Sequence, residues 1–485
     1  MQRQDYLTPA ELAAWQPARE IPPPHRRSEP LIARLKDAGL WNGRQLAGRH
    51  WPIGCVSLEI TQRCNLDCSL CYLSEYSEAV RDLPLEEVFR RIDMIYRHYG
   101  PNTNVQVTGG DPTLRERGEL VKIVRRIREM GMRPCLFTNG IKATRELLSL
   151  LCDNGLEDVA FHVDMTQGRG GYRRERELNA VRRAYIERAR GLPLAVYFNT
   201  TVFAGNFADI PEIVRFFRAN ADVVRLASFQ LQADTGRGVL RGRAQRINPE
   251  SVAGQISEGA GVELNFDVPL VGHPRCNRTA ICLEANGNLY NLFDDPAFAM
   301  GILQRTAACD LDRRHRWKAI GSLLHAVLAH PDYWGQCAAF LGRKLWAMRR
   351  DVVEARGRVN KLTFFIHNFM DAARLEKERC ETCVFMAATA DGPLSMCVYN
   401  AKRDAHILKP LRIASDTGHR TWNPLAGRLP ADGGKAAPPP ASAANPAALP
   451  LRYLKGRTRQ RMLEDRMLDD SAAPRGLSTC RQANG

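Results

Sequence analysis

Between residues 55 and 232, short apolar runs alternate with stretches whose apolar residues recur at helical spacing. In residues 120–127, for example, apolar side chains stand at i, i+3, i+4 and i+7, which is one face of an α-helix. Strands that alternate with helices pair in parallel through right-handed crossovers. The pattern predicts an α/β fold, either a doubly wound sheet or a partial (β/α)6 barrel, with its ligand site at the carboxyl ends of the strands. The predicted strands are Val56–Thr61, Val105–Gly109, Cys135–Thr138, Val159–Asp164, Leu194–Val202 and Val223–Gln232.

Three cysteines directly follow the first strand: Cys64, Cys68 and Cys71, with the spacing C-x3-C-x2-C. Three thiolates on one short loop can converge on a single [4Fe–4S] cluster, and three protein ligands leave one of its four irons open. An open position allows a metal site to bind and activate a ligand. A zinc site is an alternative, but zinc prefers four ligands and no fourth Cys or His lies nearby in the sequence. The other alternative is three buried structural cysteines.

This motif after a first strand resembles that of the radical S-adenosylmethionine (SAM) enzymes. In that family the open iron binds SAM, and an electron from the cluster cleaves it to methionine and a 5′-deoxyadenosyl radical. The family usually has an aromatic residue before the third cysteine, whereas this chain has Leu70 there and Tyr72 after the cysteine. The resemblance selects the partial barrel and implies a [4Fe–4S] cluster and SAM as cofactors.

Glycines and polar residues stand at the ends of the later predicted strands. The run Thr108-Gly109-Gly110-Asp111-Pro112 is similar to the family's GGEP motif, whose backbone and carboxylate hold the SAM amino group, although Asp111 is shorter than glutamate. Ordinary turns are the alternative explanation for these glycines. The resemblance implies that Gly109, Gly110, Asp111 and Asn139 line SAM. Positions at the strand ends add two candidates for the same pocket, Asp164 and the weaker Asn199.

His162 and Asp164 point to the same side of the fourth strand, because side chains alternate along a strand. If that side is the barrel interior, Asp164 can accept a hydrogen bond from the SAM ribose and His162 can face a substrate. A hydrogen-bonded buried pair is the alternative for His162. Gln230 and Gln232 on the sixth strand are weaker candidates of the same kind.

Further cysteines suggest a second metal site, an auxiliary iron–sulfur cluster. Residues 364–404 resemble the C-terminal part of archaeal-type radical SAM proteins, which include tetraether lipid synthases and relatives described as pterin methyltransferases. Cys383 and Cys397 fit that pattern, and the other candidates are added because their motifs lie nearby; unrelated buried cysteines are the alternative. The predicted auxiliary ligands are Cys276, Cys282, Cys380, Cys383 and Cys397.

The net charge of +16 is concentrated in part in residues 301–361, which hold 12 Lys or Arg against 5 Asp or Glu. Apolar stripes at 320–328 and 337–348 predict two basic amphipathic helices. Such helices can pack on the barrel with solvated basic faces, or lie on an anionic membrane. Nucleic acid ranks last as a partner, because the segment has no nucleic-acid motif.

The chain has no run of 18 apolar residues and no apolar core of signal-peptide length at its start, so we expect a cytoplasmic protein, with peripheral membrane contact as an extension. Composition divides it into a polar extension (1–50), the barrel (51–240), a cysteine-bearing C-terminal domain with the basic helices (241–414), and a mostly disordered Pro/Ala-rich tail (415–485).

The sequence therefore predicts an enzyme that cleaves SAM reductively, supplied with electrons by a flavodoxin or ferredoxin. The resemblance and the basic helices favour a lipid-like substrate, with C–C bond formation or methylation at an unactivated carbon. Modification of a peptide or another small molecule is an alternative. A non-catalytic iron–sulfur protein is a second alternative.

Overall fold

A computed structural model describes residues 5–238, 247–309, 316–415 and 418–426. Arg313 and Arg314 of the basic segment lie outside these ranges. So do the Pro/Ala-rich stretch 431–450, predicted to be disordered, and Cys480. The bounds of the four predicted domains remain a prediction.

The α/β fold and all six predicted strands are confirmed, with ends that shift by one or two residues. Strands β1–β6 pair in parallel and in sequence order, each followed by helices that cover the sheet. The six strands are β1 (Cys55–Thr61), β2 (Asn104–Gly109), β3 (Arg133–Thr138), β4 (Asp158–His162), β5 (Ala195–Val202) and β6 (Val224–Leu231).

The parallel series extends one strand further on each side, into sequence that follows residue 240. β9 (Asn360–Asn368) pairs with β6, and β10 (Phe385–Ala388) pairs with β1, both in parallel. Ring contacts join these two outer strands, since the His367 ring lies 4.7 Å from that of Phe385. Eight parallel strands thus curve far enough for their outermost members to meet through side chains.

Antiparallel strands complete the sheet and form one separate hairpin. β7 (Asn277–Ala285) pairs with β9 and with β8 (Asn288–Asn291), while β11 (Pro393–Ser395) pairs with β10. Within the described ranges the large sheet has eleven strands, in the order β11-β10-β1-β2-β3-β4-β5-β6-β9-β7-β8. The hairpin consists of β12 (Leu411–Ser415) and β13 (Gly418–Trp422).

The helices bury the apolar faces that their sequence periods predict. In the fourth helix the four residues of the 120–127 stripe are fully buried, and Glu116 caps its start by accepting hydrogen bonds from the Gly118 and Glu119 amides. The helices are α1 (Pro9–Ala14), α2 (Glu29–Asp37), α3 (Leu85–Tyr99), α4 (Arg117–Glu129), α5 (Arg145–Asp153), α6 (Asn179–Ala189), α7 (Ile210–Arg218), α8 (Pro249–Ala260), α9 (Pro296–Arg305), α10 (Arg316–Leu328), α11 (Trp334–Glu354), α12 (Lys377–Glu381), α13 (Met396–Ala401) and α14 (Arg403–Ile407).

The N-terminal extension packs on the C-terminal part of the chain. Leu31 and Leu35 of α2 are buried in the main core, and Leu12 of α1 packs against the apolar cluster that contains Cys397. The Ala18 amide also donates to the Pro393 carbonyl at 2.9 Å. The two ends of the described chain therefore fold against each other beside β10.

Candidate metal and cofactor site

The cysteine loop lies at the carboxyl end of β1 and is tied to the ends of two other strands. The Ser69 amide donates to the Thr166 carbonyl, just beyond β4, at 2.8 Å. The Asn65 side-chain oxygen accepts from the Asn139 side chain, just beyond β3, at 2.6 Å. Cys64, Cys68 and Cys71 are half-buried, and none forms a disulfide with another described cysteine. The loop thus holds three thiols at the mouth of the parallel sheet.

The surroundings of these thiols favour the neutral form in the absence of a cation. Burial raises the pKa of Cys64 to about 11. The pKa of Cys68 is also raised, first by burial and then by the nearby charges of Cys71 and Asp164. A bound metal reverses this preference, because coordination stabilises the thiolate and releases the proton. Three thiols on one loop are the donor set that iron–sulfur clusters use.

Arg237, which the sequence analysis did not single out, packs behind the loop. Its side chain is buried, interacts electrostatically with Cys71, and pairs with Glu78 at 3.2 Å. Its amide donates to the Leu73 carbonyl at 2.8 Å. An added Cβ at Gly236 would come within 2.4 Å of the Tyr72 backbone, so only glycine allows this approach. The Gly-Arg-Gly run after the last barrel strand was the available signal.

Gly109 and Gly110 are required by the close packing of β2 against the cysteine loop. Gly109 has φ +127°, and an added Cβ would lie 1.9 Å from the Thr61 carbonyl oxygen. A Cβ on Gly110 would lie 2.0 Å from the Arg63 carbonyl oxygen. The Gly109 carbonyl accepts from the Tyr72 hydroxyl at 2.6 Å. The glycines therefore bring the backbone of β2 directly against the loop that carries the three thiols.

The carboxylates of Asp111 and Asp164 perform the same structural task at two strand ends. Each caps a short turn after its own strand, and each also accepts from a backbone amide of the next strand: Asp111 from Asn139 at 2.8 Å, Asp164 from Thr201 at 2.8 Å. Both are fully buried. Both carboxylates already accept hydrogen bonds from protein groups. If a ligand binds here, these two residues therefore also fix the strand ends that surround the ligand.

His162 contacts Asp164 and lies beside Asn199. The His162 Nε2 lies 2.6 Å from the Asp164 carboxylate and 3.3 Å from the Thr201 hydroxyl. Burial opposes charge on both groups, but their mutual attraction outweighs it, so the pKa of His162 is raised and that of Asp164 is lowered. Asn199 is buried opposite His162 in the β4–β5 register. His162 and Asp164 thus form the hydrogen-bonded pair that the sequence offered as one alternative, but only Asp164 is fully buried, and the imidazole of His162 is partly exposed.

Four of the five cysteines predicted for an auxiliary site come together from three segments. Cys276 precedes β7, Cys380 lies on α12, Cys383 follows it, and Cys397 lies on α13. Cys276, Cys383 and Cys397 line one cavity with His367. Burial raises the pKa of Cys397, and the neighbouring Cys383 and Cys276 raise it further. Cys380 does not line this cavity, but it lies close enough to these three cysteines to interact with them electrostatically. Four neighbouring thiols are the number that a fully ligated cluster uses.

Arg379 stands beside this second group. Its Nε donates to the Cys276 sulfur at 3.1 Å, while its other nitrogens bind Glu376 at 3.0 Å and the Asn368 carbonyl. His367 is buried and bonded to Asn277 at 2.6 Å, and burial lowers its pKa to about 3. His367 is therefore held neutral by the core.

The structure does not bring Cys282 to the other four. It lies in the middle of β7, six residues beyond Cys276, which corresponds to roughly 20 Å along an extended strand. It belongs to the main apolar core, and burial raises its pKa to about 12. This position is typical of a buried structural cysteine.

A buried polar network missed by the sequence analysis connects the two cysteine groups. Glu59 of β1 accepts from Arg403 at 2.6 Å and from the Tyr399 hydroxyl at 2.8 Å. The Arg403 guanidinium lies 4.7 Å from the ring centroids of both Tyr72 and Tyr399. Tyr72 is adjacent to Cys71, and Tyr399 lies two residues beyond Cys397. The network thus spans from one set of thiols to the other.

The two basic helices expose most of their apolar side chains. No residue from 317 to 328 in α10 is buried, and Trp317 is 73% exposed. Helix α11 buries only Phe340, Lys344 and Met348 among its residues. The predicted stripe at 337–348 is thus divided, since Leu345 is 66% exposed. The packing of both helices against the barrel covers little of their apolar surface.

Within the described ranges, no three His, Cys, Asp or Glu side chains stand close enough to share a single metal ion. Of the helices that the structure describes, not one combines the length and the apolar character that crossing a membrane requires.

Comparison with known proteins places residues 58–217 in the family model described as the radical SAM superfamily. Among curated relatives, the 7,8-dihydro-6-hydroxymethylpterin dimethyltransferase of Methanocaldococcus jannaschii is 24% identical over 390 residues, covering 71% of this chain and 76% of the relative. A probable GTP 3′,8-cyclase of Pyrococcus abyssi is 31% identical over 168 residues, covering 34% of this chain and 53% of the relative. A PqqA peptide cyclase of Bradyrhizobium diazoefficiens is 30% identical over 186 residues, covering 36% and 46%.

Solved structures give weaker likenesses. SuiB of Streptococcus suis bound to precursor peptide SuiA has a TM-score of 0.30 at 15% identity, covering 46% of this chain and 50% of that one. The enzyme anSMEcpe with bound AdoMet has a TM-score of 0.32 at 15% identity, covering 43% and 60%. Likenesses at these scores support no inference about this chain. The chain spans about half the length of the cyclases and of these two structures.

Proposed function

Because residues 58–217 form a radical SAM domain, and this family uses a [4Fe–4S] cluster and SAM, we propose that the protein cleaves SAM reductively and uses the resulting radical on a substrate. The observation on which the proposal rests is the group of three half-buried thiols, Cys64, Cys68 and Cys71, at the carboxyl ends of parallel strands. These thiols would hold the cluster. When bound, the cluster supplies the electron that splits SAM into methionine and a 5′-deoxyadenosyl radical.

We propose that SAM lies between the cysteine loop and the neighbouring strand ends. Gly109 and Gly110 present backbone groups there without a side chain, and Asn139 links the pocket to the loop through Asn65. Asp111 and Asp164 hold the strand ends in register through the Asn139 and Thr201 amides. Asn199 completes the lining beside His162. These residues orient the cofactor and exclude water from the radical.

We also propose an auxiliary iron–sulfur cluster held by Cys276, Cys380, Cys383 and Cys397. Three of these thiols line one cavity, and Cys380 lies close enough to interact with them electrostatically. Arg379 also donates a hydrogen bond to the Cys276 sulfur, which suits a thiolate ligand. Cys282 is left out of this ligand set because of its place in the core.

For the substrate we propose a lipid-like molecule reached at an anionic membrane surface. The support is the exposed apolar face of α10 and α11, which carries Trp317 and Trp346. The Arg349 guanidinium lies 3.9 Å from the Trp346 ring centroid, which places a cation at the edge of the apolar face. Tryptophan and arginine around an apolar helix face are the composition of interfacial membrane helices.

The first experiment tests SAM cleavage. The reconstituted protein is incubated without oxygen with SAM and either dithionite or a flavodoxin or ferredoxin, and 5′-deoxyadenosine is measured. We expect release by the wild type and none by Cys68→Ala. An intact cluster spectrum without 5′-deoxyadenosine would instead support the non-catalytic iron–sulfur alternative. Adding lipid extracts and peptide extracts in parallel distinguishes the two substrate classes.

The second experiment counts iron and sulfide per chain. We expect Cys383→Ala and Cys397→Ala to lose the equivalent of one cluster while Cys282→Ala loses none. Equal iron in the wild type and Cys383→Ala would contradict the auxiliary site, and loss of iron in Cys282→Ala would restore that residue to the ligand set.

The third experiment tests the membrane surface with vesicles. We expect the wild type to sediment with vesicles containing an anionic lipid and not with neutral ones. Replacing Leu324, Leu345 and Trp346 with serine should abolish this binding, whereas Ile21→Ser, another exposed apolar residue, should not. Absence of binding to anionic vesicles contradicts the proposal. A dimer of the wild type that the triple variant loses would assign the face to contact between two copies.

A further inference from the structure

Arg237 combines burial, positive charge and unused hydrogen-bond donors directly behind the cysteine loop. Its side chain is 1% exposed, and its pairing with Glu78 uses only Nη1. The Nε and Nη2 atoms have no partner in the described part of the chain. Buried guanidinium donors normally find acceptors, because unpaired donors in the interior cost free energy. Such an arrangement indicates an acceptor that the described segments of the polypeptide do not provide.

The position of Arg237 identifies the kind of acceptor. The guanidinium charge acts first on Cys71, and it also acts on Cys64 and Cys68. Its backbone is fixed to the loop by the hydrogen bond to Leu73. Arg379 makes a similar contact with Cys276, but its remaining donors are satisfied by Glu376 and Asn368. Other buried arginines such as Arg182 and Arg403 leave only Nε unpaired, whereas Arg237 leaves Nη2 unpaired as well.

Resting on the proposed function, we infer that Arg237 is a positioning residue that raises the reduction potential of the cluster held by Cys64, Cys68 and Cys71. One-electron reduction takes a [4Fe–4S] core from the 2+ to the 1+ state while the reductant is oxidised, so it adds one negative charge beside the guanidinium. A fixed cation and hydrogen bonds to cluster sulfur both stabilise the more negative state. The negative charges of Asp111 on Cys64 and of Asp164 on Cys68 act against it.

The test is an anaerobic redox titration with dithionite, followed by electron paramagnetic resonance. The samples are the reconstituted wild type, Arg237→Gln, Arg237→Lys, and Arg225→Gln as a matched control at the opposite end of β6. Iron per chain is measured in each. We expect Arg237→Gln to lower the midpoint potential by at least 59 mV, a tenfold change in the one-electron equilibrium. Arg237→Lys should recover part of the shift, and Arg225→Gln should show none.

The possible outcomes distinguish failure of this inference from failure of the proposed function. Iron-loaded Arg237→Gln with an unchanged potential overturns the inference alone. Loss of iron from both Arg237 variants, with unchanged circular dichroism, also overturns it, because Arg237 would then retain the cluster without tuning it. A second cluster serves as an internal reference whose potential Arg237→Gln leaves unchanged. A wild type that binds no iron would overturn the proposed function, and this inference with it.

Discussion

Replacing Glu59 with glutamine changes one buried charge and little else. The side chain is 5% exposed and accepts hydrogen bonds from Arg403, Tyr399 and Gln62. Burial opposes the charged form, but Arg403 outweighs it and lowers the pKa of Glu59. Glutamine has the same shape but no charge, so Glu59→Gln leaves the buried Arg403 cation without a counter-ion.

The expected cost follows from burial on both sides of the pair. Arg403 is only 3% exposed, and breaking a buried ion pair by removing one partner costs about 3–5 kcal/mol. At about 2 °C per kcal/mol for a large domain, the melting temperature should fall by about 6–10 °C. The control is Glu187→Gln, which breaks an exposed pair with Arg190 and should cost less than about 1 kcal/mol.

The assay is anaerobic urea and thermal unfolding of the wild type, Glu59→Gln, Arg403→Met and the double variant. Because the double variant has no unpaired charge, its stability should recover relative to Glu59→Gln, and the cycle should give a coupling free energy of about 2 kcal/mol or more. A Glu59→Gln protein within about 1 kcal/mol of the wild type would refute the reasoning, since Arg403 would then be solvated despite its burial.

Two further predictions concern backbone packing and pH. Gly109→Ala should reduce iron loading and stability, because the added Cβ would overlap the Thr61 carbonyl oxygen and the φ of +127° disfavours any residue but glycine. The control is Gly254→Ala in α8, where the added Cβ meets open space. This variant should be neutral or more stable by up to about 1 kcal/mol. Burial lowers the pKa of His98 to about 4, so the unfolded state binds more protons between that value and the ordinary pKa of about 6.5, and stability should fall as pH drops through this window. The free energy of unfolding, measured by urea denaturation at each pH, should fall by about 3 kcal/mol across this window. In His98→Asn this dependence on pH should be flatter. If the variant shows the same slope as the wild type, His98 is not held neutral in the folded protein.

The strands of the barrel were predictable because their apolar runs are bounded by residues that end a strand. The prediction for the fourth strand extended to Asp164, two residues beyond its observed end at His162. The Asp164 side chain accepts from the Thr166 amide and caps a short turn, which ends the pairing. An aspartate after an apolar run looks like the last strand residue in sequence, although its hydrogen bonds make it the first residue of a turn.

The contacts that complete the site could not be read from the sequence, because they join distant segments. Arg237 meets Cys71 across more than 160 residues, and Arg403 meets Glu59 across 344. Neither position has a local period or motif of known function. The candidate auxiliary cysteines were chosen by motif, but period and spacing could not separate Cys282 from the others, since only the strand direction of β7 carries it away from Cys276.

The length of helix α10 determines how firmly its backbone hydrogen bonds are held. Thirteen residues is near the limit at which an isolated helix persists in water, and no residue from 317 to 328 is fully buried against the rest of the protein. Its helical hydrogen bonds should therefore open often in the free protein and close when a surface covers them. Amide hydrogen exchange in this one segment would then report occupancy of the face, residue by residue, while the barrel strands serve as the slow-exchanging standard within the same molecule.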